Sequence, residues 1–125
     1  MKSFANKPCP CGSKKKYKKC CMRLHKGKCA ESAIELMKSR YSAYATKNYI
    51  YIVKTEYPSK QTNSEEIKKF CEYSFNKLEI IDFVQNDQEA FVEFKAYIND
   101  FILHERSRFV KEDGIWYYVD GVIFD

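Results

Sequence analysis

Four of the six cysteines of this 125-residue chain fall within the stretch CPCGSKKKYKKCC, which runs from Cys9 to Cys21. A Cys-x-Cys pair and a Cys-Cys pair can each supply two soft ligands to a tetrahedral divalent ion. Positive charge lowers the pKa of a nearby thiol, so the intervening lysines favour the thiolate form that binds metal. The spacing therefore predicts a small zinc knuckle whose ligands are Cys9, Cys11, Cys20 and Cys21.

The residues between the two pairs suit a compact metal-binding turn. Pro10, Gly12 and Ser13 are typical of a tight turn after the first pair. Residues 14–19 contain only Lys and Tyr, enough for one or two helical turns that return the chain to the second pair. We expect Tyr17 to pack over the metal.

Other uses of the clustered thiols are two disulfides, an iron–sulfur cluster or unligated cysteines. Neighbouring cysteines rarely pair with each other without strain, and the spacing matches neither common ferredoxin pattern. His25 and Cys29 follow closely enough to be alternative fourth ligands. Outside that alternative, Cys29 and Cys71 are predicted to be free thiols.

The cysteine stretch resembles the SEC-C motif, a zinc-binding module of the preprotein translocation ATPase and of many small bacterial proteins. The resemblance is carried by CPCGS at 9–13 and YKKCC at 17–21. It implies that the motif's four ligands fall on the four cysteines named above. Lys14, where the motif usually has glycine, and Met22, where glycine or a polar residue is common, depart from it without touching a ligand position.

Charge is distributed unevenly along the chain. Residues 1–28, here called the knuckle segment, contain ten Lys or Arg and no acid, a net charge of +10. Residues 29–125, here called the body, contain twelve basic against seventeen acidic residues, a net charge of −5. Such a basic segment attracts an acidic protein, a nucleic acid or an anionic lipid, although lysines can also merely keep a small module solvated. The candidate partner-binding residues are Lys14, Lys15, Lys16, Lys18 and Lys19.

Hydropathy gives no sign of membrane insertion or export. No apolar run approaches the roughly 18 residues that span a bilayer, and residues 1–8 lack the hydrophobic core of a signal peptide. We therefore expect a cytoplasmic protein, in which thiols stay reduced and clustered cysteines bind metal. The 45% hydrophobic and 16% aromatic composition is sufficient for a packed core.

The first half of the body has helical periodicity. Apolar residues recur at three- and four-residue steps over 31–46, which predicts a helix. Asn48 is expected to cap a second helix that ends before Pro58, and Asn63 to open a third with a capping box. Residues 22–28 are interpreted as a basic linker, with a domain boundary at its end.

The second half of the body changes to strands rich in Val, Ile, Phe and Tyr. The predicted strands are Leu78–Val84, Glu89–Ile98, Phe101–Lys111 and Ile115–Phe124. Short polar turns separate them, so consecutive strands should pair as an antiparallel meander. Helices followed by such a sheet predict an α+β fold, with a concave pocket between the helices and the sheet.

The body also resembles the YchJ-like family of bacterial proteins. The resemblance is carried by MKSRYSAY at 37–44, ERSRF at 105–109 and GIWYYVDG at 114–121. It implies a cone-shaped, cystatin-like domain similar to nuclear transport factor two and to SnoaL-like cyclases, in a superfamily that often dimerises through the open sheet face. Many family members carry a second, C-terminal SEC-C motif, which these residues do not include. The family implies a fold and a metal but no established activity.

Several polar residues of the body could form a ligand site in the cone. The candidate pocket residues are Arg40, Tyr44, His104, Arg106, Arg108, Tyr118 and Asp120. One hypothesis is an anion, a carboxylate or phosphate, held by Arg40 and Arg108. Another is an acid–base dyad of His104 with Asp120. The competing interpretation is an Arg–Asp network that pins a helix to the sheet, or arginines that point outward.

The sequence therefore favours a zinc-binding interaction module over an enzyme, because it contains no recognisable nucleophile–base pair, phosphate loop or second metal motif. In this hypothesis the basic knuckle docks an acidic protein partner, as the resemblance to the translocation ATPase tail, which engages a preprotein chaperone, implies. The alternatives are a small anionic ligand or catalysis in the cone, and nucleic-acid binding through the knuckle.

Overall fold

The computed structural model of the chain describes residues 4–124. Residues 1–3, at the start of the predicted segment 1–28, and Asp125, at the end of the predicted segment 29–125, lie outside the described residues. The described helices are α1 (Cys21–His25), α2 (Ala33–Ala45), α3 (Tyr49–Lys54) and α4 (Ser64–Cys71), with 3₁₀ turns at Tyr17–Lys19 and Pro58–Lys60. The strands are β1 (Phe75–Gln85), β2 (Glu89–Ile98), β3 (Phe101–Glu112) and β4 (Ile115–Phe124).

Polar side chains cap the starts of α2, α3 and α4. Asn48 Oδ1 accepts a hydrogen bond from the Tyr51 N–H at 3.1 Å, and Asn63 Oδ1 accepts one from the Glu65 N–H at 2.7 Å. Such bonds satisfy amides that have no partner within the helix, so they confirm both predicted starts. Ser32 caps α2 in the same way. At 13 residues α2 is the longest helix within residues 4–124, and no helix there is long and apolar enough to cross a membrane.

The strands form the predicted antiparallel meander in the order β1-β2-β3-β4. Asp113 and Gly114, between β3 and β4, have φ values of 52 and 80, which are the left-handed values of a tight hairpin turn. The start of β1 differs from the prediction. It begins at Phe75 rather than at Leu78, because Phe75 pairs with Ile98 at the far end of β2.

The core lies between α2–α4 and one face of the sheet. Val92, Phe94, Ala96 and Ile98 alternate along β2 and are at most 7% exposed, as predicted for its inner face. The helices cover this face, with Leu36 of α2 and other apolar residues packed in the same cluster. The helices and the sheet of the body therefore pack around one hydrophobic core.

The interpretation of residues 22–28 as a linker is wrong. Residues 21–25 form α1, and Leu24 is 1% exposed within the same core cluster as Leu36 and Ile52. A single helical turn suffices to direct this apolar side chain onto the body, and burying it is favourable. The boundary at residue 28 stays a prediction, but the knuckle segment contributes to the core of the body.

Candidate metal centre and cone cavity

The four knuckle cysteines converge on one point. Their Sγ atoms all lie within 4.8 Å of one another, and the Sγ atoms of Cys11 and Cys20 are 3.6 Å apart. Four Zn–S bonds of about 2.3 Å in a tetrahedron place neighbouring sulfur atoms about 3.8 Å apart. The cluster therefore has the donors and the dimensions of a four-thiolate metal site.

Tight backbone turns produce this geometry. Cys9 and Cys11 lie on a turn in which the Gly12 N–H donates to the Cys9 carbonyl at 3.1 Å. Gly12 has a φ of 87 and Lys14 a φ of 71, both in the left-handed region that favours glycine. The SEC-C motif usually has glycine at the position of Lys14, so this chain tolerates backbone strain there. The second cysteine pair lies at the start of α1.

The close approach of the thiols shifts the pKa values of Cys9 and Cys21 in opposite directions. Contacts with Cys11 and then with Cys21 hold the pKa of the Cys9 thiol far below its ordinary value. Contacts with Cys11 and Cys9, followed by burial, raise the pKa of Cys21. In the absence of a cation, one thiolate is therefore stabilised at the expense of its neighbours. A divalent ion would stabilise all of them together.

The metal site is nearly closed to solvent. Three of its cysteines are no more than 5% exposed, and Cys20 is half-buried. Ser13 Oγ donates to Cys20 Sγ at 3.1 Å, and Ser42 Oγ of α2 lies 3.4 Å from Cys9 Sγ. Four protein ligands in a closed site are typical of structural metal centres, whereas catalytic centres leave a position for water or substrate.

The alternative ligands lie outside the cluster. Cys29 is exposed, Cys71 is buried, and both are free thiols, as predicted. His25 is engaged elsewhere: its Nε2 donates to the Ser39 carbonyl at 2.8 Å, so its Nδ1 accepts from the Tyr17 hydroxyl. His25 therefore links the knuckle segment to α2, while Tyr17 packs against the cysteines.

This link should make stability depend on pH. Burial lowers the pKa of His25 below its ordinary value. The folded chain then binds fewer protons than the unfolded chain, so stability falls as the pH drops through about 6.5 and levels off below the folded-state pKa. We expect His25→Gln to remove this component of the stability between about pH 7.5 and 5.5, because glutamine does not titrate.

Urea unfolding of both proteins at the two pH values, with zinc in excess, measures this component. Loss of metal at low pH affects both proteins, so the difference between them isolates His25. An identical pH dependence in wild type and variant would contradict the prediction.

The cone encloses a cavity of about 370 Å³ between the helices and the inner face of the sheet. Its aromatic lining consists of Tyr41, Tyr44, Phe70, Phe75, Phe94, Phe109 and Tyr118. Its charged lining consists of Arg40, Glu56 and Glu105. Of the predicted pocket residues, Arg40, Tyr44 and Tyr118 are therefore brought together here, in a volume typical of small-ligand sites.

The other predicted pocket residues, His104, Arg106, Arg108 and Asp120, lie on the outer face of the sheet. Arg108 donates two hydrogen bonds of 3.1 Å to Asp120. His104 Nε2 lies 2.8 Å from Glu93 rather than near Asp120, and Arg106 also pairs with Glu93. The structure therefore forms neither the anion site of Arg40 with Arg108 nor the dyad of His104 with Asp120. Arg106 and Arg108 instead point outward and pair with acidic residues of other strands, which agrees with the second of the competing interpretations.

The β2–β3 register explains this outcome. Val92 pairs with Ser107 and Phe94 pairs with Glu105. Directly paired residues share a face of the sheet, so Ser107 and Glu105 face the core with their partners. The basic residues that alternate with them, His104, Arg106 and Arg108, therefore face outward. Sequence reasoning missed Glu105 and Glu56 as cavity residues. The two-residue turn after β2 is the signal that could have placed Glu105.

Arg40 is 7% exposed and already has several partners. Its Nη1 donates to the Ile52 carbonyl at 2.8 Å and to Thr55 Oγ1 at 2.7 Å. Its Nη2 lies 3.9 Å from Glu56 Oε2, and its guanidinium lies 4.5 Å from the Tyr118 ring centroid. Arg40 therefore connects α2 to α3 and the sheet.

The knuckle segment presents unpaired positive charge. Its candidate partner-binding residues, Lys14, Lys15, Lys16, Lys18 and Lys19, are all exposed. Within residues 4–124 none of these five forms a salt bridge, whereas Arg23 and Lys28 of the same segment pair with Glu35 and Glu31. The five lysines thus place positive charge on the metal-binding turn, and within residues 4–124 no salt bridge neutralises it.

Family models match both parts of the chain. The SEC-C motif matches residues 6–23, and the model described as YchJ, middle NTF2-like domain, matches residues 32–121. A UPF0225 protein of Vibrio parahaemolyticus is 41% identical over 124 residues, which cover 90% of this chain and 73% of the relative. A UPF0225 protein of Streptomyces coelicolor is 39% identical over 124 residues, which cover 94% of this chain and 97% of the relative.

Solved structures agree with this arrangement. A SEC-C motif containing protein from Rhodopseudomonas palustris has a TM-score of 0.86 at 34% identity, covering 94% of this chain and 98% of its own. A SEC-C motif containing protein from Psychrobacter arcticus has a TM-score of 0.87 at 28% identity, covering 98% of this chain and 85% of its own. An NTF2-like protein from Cytophaga hutchinsonii has a TM-score of 0.51 at 13% identity, covering 78% of this chain and 94% of its own, and is similar in fold alone. The predicted α+β cone with a cysteine knuckle is confirmed.

Proposed function

This chain belongs to the YchJ-like family, which joins a SEC-C motif to an NTF2-like domain, and we propose that its knuckle segment is a zinc-held basic module that docks an acidic protein. The SEC-C motif and the cysteine cluster make the segment a metal-binding module. The observation that carries the proposal is that the turn between the two cysteine pairs bears five exposed lysines that form no salt bridge with any residue of 4–124. Charge of this kind steers and orients an oppositely charged partner.

Zinc fits the donor set well. Four thiolates in a tetrahedron suit zinc or iron, and a closed, redox-inert centre is typical of structural zinc. The bound ion would cross-link the two cysteine pairs and thereby hold the lysine-bearing turn in one shape. Elemental analysis of protein purified without added metal should find one zinc per chain. Iron in its place would contradict the assignment.

The surroundings of the lysines favour a protein partner over single-stranded nucleic acid. Nucleic-acid grooves of that kind combine positive charge with exposed aromatic rings that stack on bases. Tyr17, the aromatic residue among the lysines, is half-buried and directed to His25. The exposed ring of the described segment, Phe4, is covered on one face by Lys7 and packs edge-on against Tyr17. Residues 14–19 therefore offer charge without an exposed ring among them, which suits an acidic peptide segment.

A charge-reversed knuckle tests the proposal. Replacing the five lysines with Glu changes the net charge from +5 to −5. The matched control reverses five exposed lysines of the body, Lys54, Lys60, Lys69, Lys77 and Lys111, and so has the same net charge. We expect the knuckle variant, but not the control, to bind a labelled peptide of alternating Glu and Ser about 10-fold more weakly or worse, measured by fluorescence anisotropy at low salt.

Two further arms complete this experiment. Zinc-stripped wild-type protein should also lose affinity for the peptide, because its lysines are no longer held in place. Equal loss in both charge variants would show a net-charge effect and contradict the proposal. A single-stranded DNA oligonucleotide of the same charge that bound more tightly than the peptide, with a steep salt dependence, would replace the protein partner by nucleic acid.

A further inference from the structure

We propose that the cone cavity binds a small cationic ligand, an amine carried on an apolar or aromatic body. The charged side chains that line the cavity are one arginine and two carboxylates, so its net charge is negative. This sign is opposite to the one needed for the anionic ligand that the sequence suggested. The site is separate from the knuckle and does not depend on the function proposed for it.

Glu105 is the centre of this inference because its carboxylate has no cationic partner within residues 4–124. Ser107 Oγ donates to its Oε2 at 2.8 Å, and the Tyr118 hydroxyl donates to the same oxygen at 3.1 Å. In the described part of the chain Oε1 receives no hydrogen bond. Burial and then the neighbouring Glu105 raise the pKa of Tyr118, so this phenol stays protonated as a donor. Two donors therefore orient a carboxylate whose second oxygen remains available to a ligand.

Gly121 shows that the chain keeps space for this carboxylate. Gly121 lies on β4 directly opposite Ser107 of β3. A Cβ atom built on Gly121 would clash with the carboxylate of Glu105. The missing side chain thus leaves room for an acidic group at the cavity wall, where an apolar side chain would pack at lower cost.

The remaining lining suits a cation better than an anion. Arg40 is committed to Ile52, Thr55 and Glu56, so its charge is largely compensated. The Glu56 carboxylate accepts hydrogen bonds from the Thr62 N–H at 2.6 Å and from the Thr62 hydroxyl at 3.1 Å, so two neutral donors hold it at the cavity wall. Aromatic faces attract ammonium groups, and seven aromatic residues line this cavity. A ligand with an amine near Glu105 and a ring among the aromatic residues would use all of these features.

Matched probes of opposite charge test the inference. Zinc-loaded, ¹⁵N-labelled full-length protein is titrated separately with 2-phenylethylamine and with 3-phenylpropionate, and amide shifts are followed by NMR. We expect saturable shifts from the amine that centre on α2, β3 and β4, and binding of the carboxylate that is at least about 10-fold weaker. Carboxylate binding as tight as amine binding, amine shifts confined to the knuckle or outer face, or no saturable binding of either probe would overturn the inference.

A pair of isosteric variants locates the charge that matters. Glu105→Gln keeps acceptors for Ser107 and Tyr118 but removes the negative charge, so it should weaken amine binding about 10-fold or more. Glu79→Gln, an exposed change on the outer face of β1, should leave amine binding unchanged. Equal affinities in Glu105→Gln and wild type would overturn the inference. The comparison of the two probes in wild-type protein remains decisive even if the Glu105 variant folds poorly.

Discussion

Replacing Cys21 with Ser is expected to abolish stoichiometric metal binding and to unfold the knuckle turn while the sheet stays folded. The local core of this turn consists of buried Cys9, Cys11 and Cys21, with Tyr17 and Cys20 packed against them. So few apolar atoms cannot offset the conformational entropy of ordering the segment. Small zinc modules are accordingly unfolded without metal, and binding contributes about 10–16 kcal/mol in model peptides.

The effect should extend into the body through α1. Cys21 is the first residue of α1, and Leu24 of the same helix is 1% exposed in the body's core. Withdrawal of Leu24 from that core would destabilise the body by about 2–5 kcal/mol, the range measured for buried leucine truncations. Native mass spectrometry reports the bound metal, and hydrogen exchange should show rapid labelling of residues 5–25 with continued protection of β2 and β3.

Cys29→Ser is the matched control, since Cys29 is exposed and lies outside the cluster. This variant should retain one metal ion per chain and change the free energy of unfolding by less than about 0.5 kcal/mol. Retention of one tightly bound metal ion by Cys21→Ser would contradict the assigned ligand set. Unchanged exchange protection of residues 5–25 after metal removal would show that the segment folds without it.

Features encoded by short-range chemistry were predictable from the sequence. The spacing of the cysteines indicates a tetrahedral site because ligand pairs must sit on tight turns. Asn48 and Asn63 mark helix starts because their side chains satisfy local amides. Asp113 and Gly114 mark a hairpin because both residues accept a left-handed backbone. None of these inferences needs knowledge of what packs against the element.

Features that depend on packing between distant segments were not predictable in the same way. The sequence indicates a linker around Leu24 because the apolar residues of its cluster, such as Leu36, lie on other elements of the chain. His25 looked like a candidate ligand because its bond to the backbone of Ser39 leaves no mark in the sequence. The inward-facing residues of β3, by contrast, could be predicted from a local feature. Counting forward from the two-residue turn after β2 places Glu105 on the inner face, whereas the ERSR pattern by itself does not indicate which of its residues face inward.

Removal of Arg40 should strongly destabilise the body. Arg40→Ala leaves Glu56, which is 5% exposed, as a buried carboxylate without a cationic partner among residues 4–124. It also removes the two hydrogen bonds from Arg40 to Ile52 and Thr55. Breaking a buried ion pair from one side typically costs about 3–5 kcal/mol. Urea unfolding of the zinc-loaded protein measures this loss.

Arg108→Ala is the control that separates buried from exposed pairing. Arg108 makes a two-bond contact with Asp120, but both side chains are at least 34% exposed, so its loss should cost no more than about 1 kcal/mol. Combining Arg40→Met with Glu56→Gln removes both charges and should recover part of the loss, since a buried pair adds little net stability over neutral groups. Equal destabilisation by Arg40→Ala and Arg108→Ala would mean that burial of the Arg40 guanidinium does not govern the stability of the cone.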